Sequence, residues 1–227
     1  MVQVSGDDRI TIISAIYDSY DTLKPVLPQS GANVDWVLVT DDATLRGGAL
    51  GWNVVYRPRP DVHPNRAAKH PKFLPWEYTD APASVWVDAS FRVVSDRFAV
   101  EAVALADPIA QFTHPWRDCL YDETAECIAI AKHKYRPGLL ADQAAAYRSA
   151  GHPEHWGLWA TGVIARQHGD PRVKQLGARW LEEVEQWSFQ DQVSHPFVMR
   201  EAGLRPTPFP GQHLANGWVA YEGSGRH

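Results

Sequence analysis

Short apolar runs and longer stretches of helical spacing take turns along this chain. Residues 9–16, RITIISAI, are rich in β-branched residues and lack a helical period, which predicts a buried strand. Residues 34–40 (VDWVLVT), 52–56 (WNVVY), 84–88 (SVWVD), 109–113 and 157–165 predict five more. Between them lie helical signals. Asp21 is positioned to cap a short helix ending near residues 25–28, and another short helix is expected over 71–78. Ser95 caps a helix over 96–106, and two more cover 121–134 and 138–149. Asp170-Pro171 is a strong start signal, a capping residue before proline. Beyond it Val173, Leu176, Trp180, Leu181, Val184 and Trp187 keep one apolar face for four turns. A last helix is expected over 190–201, followed by an irregular tail, 206–227. Strands alternating with helices predict a single α/β domain over 1–227, with a mainly parallel central sheet flanked by helices. Ligands of such sheets sit beyond the carboxyl ends of the strands. That rule places the loop 17–21, Asp41-Asp42 and Asp88 on one rim.

Composition narrows the function without naming it. The 227 residues are 44% hydrophobic and 22% charged, ordinary for a globular chain with a substantial core. A net charge of −5 gives no global field to hold a polyanion, so nucleic acid is a disfavoured partner, although a local basic groove stays compatible with it. No apolar run approaches the roughly 20 residues needed to span a bilayer, and the first residues do not read as a signal peptide. Cys119 and Cys127 are the only cysteines, too few for a disulfide framework. These features predict a soluble, cytoplasmic protein with no membrane partner. The ten tryptophans are mostly core, and their flat faces are also suited to stacking on sugars.

Common α/β chemistries are missing. No GxGxxG follows the first strand, and there is no Walker A loop, GxSxG elbow, HExxH or CxxC. What remains is a set of polar residues at element ends. Asp88 closes a strand, where a carboxylate can hold a divalent cation against a diphosphate or simply cap the next turn. Asn65, Arg66, Lys69, His70 and Lys72 lie just upstream, either as phosphate donors or as a solvated basic surface. Asp191 opens the last helix, where it either orients an acceptor hydroxyl or caps the helix. Asp118, Tyr121, Asp122 and Glu123 form an acidic-aromatic loop, with Glu123 spaced as a capping-box partner. His213 sits in the tail, a candidate metal ligand only if Asp88 lies nearby.

The order of these pieces carries a family resemblance. Residues 15–25 (AIYDSYDTLKP), 39–42 (VTDD), 69–75 (KHPKFLP) and 85–90 (VWVDAS) come first. Residues 114–123 (HPWRDCLYDE), 162–166 (GVIAR) and 190–197 (QDQVSHPF) follow. Together they resemble the plant and bacterial glycosyltransferase-like family typified by the MUCI/TOD proteins, and more distantly the family 8 retaining glycosyltransferases. The resemblance implies a GT-A-like fold and transfer of a sugar from a nucleotide diphosphate sugar, such as a UDP sugar, to an acceptor with a free hydroxyl. By it Asp88 and Asp191 are the catalytic pair. Tyr17, Asp18, Arg66, Lys69 and Lys72 meet the donor, and Asp88 with His213 binds Mn²⁺ or Mg²⁺. Asp118, Glu123, Trp156 and Gln192 fall to the acceptor or to support of the site. Two positions depart from the pattern. Asp88-Ala89-Ser90 stands where GT-A enzymes usually carry Asp-x-Asp, so either a metal or Lys72 with Arg66 is left to neutralise the diphosphate. Gln190 stands where the family often has arginine. The acceptor is a glycan, a small molecule, a lipid or a modified nucleobase. Two other functions are compatible with the chain: a non-catalytic carbohydrate- or nucleotide-binding module, and a hydrolase of a lipid or glycoconjugate.

Overall fold

A computed structural model describes residues 8–131 and 134–223. In chain order it holds β1 (Arg9–Ile16), β2 (Asn33–Thr40), β3 (Asn53–Tyr56), α1 (Pro64–Ala67), α2 (Lys69–Phe73), β4 (Ala83–Val87), β5 (Phe91–Val93) and α3 (Phe98–Leu105). Then come β6 (Ile109–Thr113), α4 (Leu120–Ile130), α5 (Pro137–Ser149), β7 (Trp159–Gln167), α6 (Pro171–Gln186), α7 (Asp191–Glu201), β8 (Thr207–Pro208) and β9 (Val219–Tyr221). Seven strands form the central sheet in the order β3-β2-β1-β4-β7-β6-β8, and β5 pairs with β9 beside it.

Burial on both faces explains the apolar runs. In β1, Ile12 packs into one core layer and its neighbour Ile13 into the other, because successive side chains of a strand point to opposite faces. The first layer holds Leu38, Val85, Phe98, Phe112 and Trp218, and the second Val39, Phe73, Trp86, Trp180 and Tyr147. Helix α6 shows the sequence logic plainly. The Asp170 carboxylate accepts from the Arg172 N–H, Pro171 occupies the first turn, and Val173, Leu176, Trp180 and Val184 are buried.

Pairing is parallel through β3, β2, β1 and β4, and again between β6 and β8, so the sheet is mostly parallel and flanked by helices, consistent with a GT-A-like α/β fold. One strand of its second half is reversed: β7 runs antiparallel to both β4 and β6. Strand orientation leaves no trace in a run buried on both faces.

Four local expectations need correction. No helix forms over 21–28. Asp21 instead accepts from the Thr22 N–H and the Lys24 ammonium, and the strap is tied down by Val26 N–H donating to the Leu50 carbonyl. Pro25 and Pro28, which cannot donate to a helical ladder, fit that path. The helix expected over 71–78 starts earlier and is broken into α1, α2 and a 3₁₀ turn at Pro75–Glu77. The tail is not wholly irregular, since it supplies β8 and β9, and β5 is a further short strand. Part of the helix expected over 121–134 falls on 132–133, outside the described residues. No helix among the described residues is long and apolar enough to cross a membrane.

Candidate functional site

Because β1 and β4 are parallel neighbours, Tyr17 and Asp88 emerge on the same rim. A cleft of about 290 Å³ opens there. Helix α2 lines it with Lys69 and Lys72, three residues apart and so on one helical face. The start of α7 adds Gln190, Asp191 and Gln192, while β7 adds Thr161 and Gly162. From the tail come His213, Leu214 and Tyr221.

The charged groups form one connected cluster. Lys72 Nζ lies 2.7 Å from Asp191 Oδ2 and 3.3 Å from Asp88 Oδ1, and donates at 3.4 Å to Thr161 Oγ1. Lys69 Nζ donates to Asp191 Oδ2 at 2.9 Å. The Thr161 hydroxyl donates to Asp191 Oδ1 at 3.1 Å, and the Trp86 indole N–H donates to Asp88 Oδ1 at 2.6 Å. Lys69, Lys72 and Asp191 are buried, whereas the Asp88 side chain is 37% exposed. Burial opposes ionisation of Asp191, but the two ammoniums outweigh it and hold the carboxyl well below the usual carboxylate range. Burial likewise works against the charge on Lys72, and Asp191 and Asp88 reverse it, so this lysine is pushed up. For Lys69, burial wins over Asp191, and its pKa falls to about 8. Burial also lowers His213 to about 4, so its ring is neutral near pH 7.

The donor set fits a divalent cation poorly. Ca²⁺ and Mg²⁺ take about six or more oxygen ligands, usually including carboxylates. Asp191 has both oxygens engaged, Asp88 Oδ1 already accepts from two donors, and Ser90 stands where a second carboxylate would. His213 Nε2 is buried without a hydrogen-bond partner among the described residues. A Cβ built on Gly162 would lie 2.6 Å from that nitrogen, so the ring packs closely against the glycine of β7. Among the described residues, one trio of metal-ligating types converges, Cys119, Asp122 and His155, and none of the three lines the cleft.

With the cleft described, its kinship can be stated. Residues 3–208 match the TOD1/MUCI70, glycosyltransferase-like domain. The chain belongs to that family. No curated protein matches it. Membership of the TOD1/MUCI70 family supports a function of glycosyl-transfer type.

In this TOD1/MUCI70 chain the fold gathers Tyr17, Lys69, Lys72, Asp88, Asp191, Gln192 and His213 around the cleft. Other residues singled out in the sequence lie elsewhere. Asp18, at a φ of +54°, is exposed on the rim, with its N–H donating to Asp41 Oδ1 and its carboxylate 3.6 Å from Arg59. Arg66 turns away to donate to the Glu185 carbonyl. Asp118 pairs with His155 at the surface, 2.7 Å away. Trp156 packs against Trp159 and the Arg205 guanidinium. Glu123 is not a capping partner: it is buried, accepting from Arg117 Nε at 2.7 Å and Gln190 Nε2 at 3.2 Å. Gln190 then lines the cleft, so Glu123 supports the site from behind.

Sequence reading placed Tyr20 in the rim loop 17–21 without giving it a role, and missed Lys134, Tyr135, Thr161, Leu214 and Tyr221 on the cleft wall. Thr161-Gly162 was findable in principle, since a small residue inside a long β-branched strand marks a close approach. Lys134 carries no local signal.

Proposed function

We propose that this cleft transfers a sugar from a nucleoside diphosphate sugar to a hydroxyl acceptor. The observation that carries this reading is the ionic chain Lys69–Asp191–Lys72–Asp88, buried except at Asp88, placed at the carboxyl rim of a mostly parallel sheet and open to a cleft. Such a chain combines cations for a diphosphate with a carboxylate for the reacting centre. Tyr17 and Tyr20, at the end of β1, form the wall for the nucleoside. Among the described residues, both hydrogen bonds to the Asp88 carboxylate fall on Oδ1, which leaves Oδ2 for the substrate. Asp191, held ionised and fully bonded, positions the two lysines and is unsuited to taking a proton.

In the reaction, the bond from the anomeric carbon to the phosphate oxygen breaks and its electron pair stays on that oxygen. The acceptor oxygen forms the new bond, and its proton leaves to the departing diphosphate. We keep the retaining course that the resemblance to family 8 enzymes implies. Phe91, Leu214 and Tyr221 give the cleft an apolar lip, suited to the C–H faces of a sugar acceptor. The net charge of −5 disfavours a DNA acceptor.

The test is release of UDP or GDP from a panel of their sugar conjugates, with and without candidate acceptors. Asp88→Asn is expected to lower turnover by about 100-fold or more, the usual scale for one electrostatic group at a reacting centre. Wild-type rates in both Asp88→Asn and Asp191→Asn would sink the assignment. Nucleotide binding without turnover would instead identify a binding module, and cleavage of a lipid or glycoconjugate without a nucleotide donor would identify a hydrolase.

A further inference from the structure

A primary ammonium has three N–H donors and no acceptor. Lys72 has found three acceptors, on Asp191, Asp88 and Thr161. Lys69 has found one, Asp191 Oδ2, although its side chain is only 8% exposed and lines the cleft. Two buried N–H donors of Lys69 therefore have no protein partner among the described residues. Those two donors face the cleft, where an acceptor carried by a ligand can meet them, and a charged donor bonds an anionic acceptor more strongly than a neutral one.

The charge count agrees. Lys69, Lys72 and Lys134 line the cleft against Asp88 and Asp191, while Asp21 is neutralised by Lys24 at 3.0 Å. Among the described residues, three cations against these two carboxylates leave one positive charge. That balance draws in an anion and repels a divalent cation.

We propose that Lys69, held in place by the Asp191–Lys72 bridge, receives the donor's diphosphate directly, so that this cleft works without a divalent cation. The inference rests on the nucleoside diphosphate donor proposed above and names the group that meets it. Lys72 is the positioning residue: its donors are spent on fixing Asp88 and Asp191, and it supplies charge at short range. As the leaving oxygen gains its electron pair, the Lys69 ammonium takes the role that a metal ion plays in a metal-dependent transferase.

The experiment is calorimetry on the full chain with inorganic pyrophosphate, UDP and GDP, each in EDTA and in Mn²⁺, and with Mn²⁺ alone. Pyrophosphate and one nucleotide should bind in EDTA within about twofold of their affinity in Mn²⁺. Mn²⁺ alone should give no binding heat. Lys69→Met keeps the length and removes the charge, and should weaken pyrophosphate by about 10- to 100-fold. Lys69→Arg should recover part of that loss, and melting curves of both variants establish that they fold. Asp88→Asn gives opposite signs for the two mechanisms. It should preserve or tighten pyrophosphate binding if a lysine receives the anion, and abolish it if a metal on Asp88 does. Binding that requires Mn²⁺, wild-type affinity in Lys69→Met, loss of affinity in Asp88→Asn, or no binding of pyrophosphate in either buffer would each overturn the inference. Pyrophosphate binding in EDTA with no turnover of any nucleotide sugar would leave the anion site standing and remove the glycosyl-transfer reading alone.

Discussion

Two buried charge clusters sit back to back at the start of α7. Asp191 anchors one, with Lys69, Lys72 and Asp88. Its neighbour Gln190 reaches the other, built on Glu123 with Arg117 and Cys127. Both carboxylates are buried and each meets a cation closely, yet the clusters differ in what they leave open. In the second cluster, Glu123 Oε2 accepts from Arg117 and Oε1 from Gln190, and burial beside this carboxylate pushes the Cys127 thiol up to about 12, which makes it inert. Neither Glu123 nor Arg117 nor Cys127 touches the cleft. The first cluster faces the cleft and keeps two Lys69 donors and one Asp88 oxygen free. A buried ion pair is thus structural when its bonding is complete, and a candidate for chemistry when the remainder points at open space.

Substitutions can break this contrast. The largest effect is expected from Asp191→Asn, which takes from Lys69 its anionic partner and from Lys72 one of its two. Removing one partner of a buried pair costs about 3–5 kcal/mol. The urea midpoint should fall accordingly, and nucleotide release should be lost even in the folded fraction. An unchanged midpoint would mean that the lysines find other partners. Glu123→Gln should cost less, about 1–3 kcal/mol, because Arg117 can turn to water and the amide keeps one acceptor. Nucleotide release per folded molecule should persist. A catalytic loss at unchanged stability would erase the distinction between the clusters. The smallest effect sharpens the role of one lysine. Lys69 is lowered to about 8 in the free protein, and an anion binds its protonated form. UDP affinity should therefore hold below pH 8 and decline above it, by at most about tenfold per pH unit for one proton. Titrations in Lys69→Arg should be flat over the same range; a decline of equal size there would assign the proton to another group.

Much of the rim was legible because its signals are local. A β-branched run ending in Asp88, two lysines three residues apart and a carboxylate opening a helix are visible in a few residues of sequence. Lys69, Lys72 and Asp191 were read as donor-side or helix-start residues, but their mutual bonding was not, because it joins positions 122 apart. Glu123 misled for the same reason. Its spacing matches a capping box, while it accepts instead from Arg117, 6 residues upstream, and from Gln190, 67 residues away. The reversal of β7 was hidden by burial on both faces, and β5, β8 and β9 are too short to set a pattern. Arg66 shares a sequence neighbourhood with Lys69 and Lys72 but sits on α1, which directs it to the Glu185 carbonyl instead.

The tail has a consequence for kinship. His213, Leu214 and Tyr221 form part of the cleft wall, and the family match stops at residue 208. The stretch by which membership is recognised therefore contains every residue proposed to meet the donor and omits part of the surface proposed to meet the acceptor. Two members could keep the same lysines and carboxylates and still offer different walls to whatever receives the sugar. Replacing the tail while leaving Lys69, Lys72 and Asp88 in place is therefore the direct way to change the wall proposed for the acceptor and hold the donor side constant.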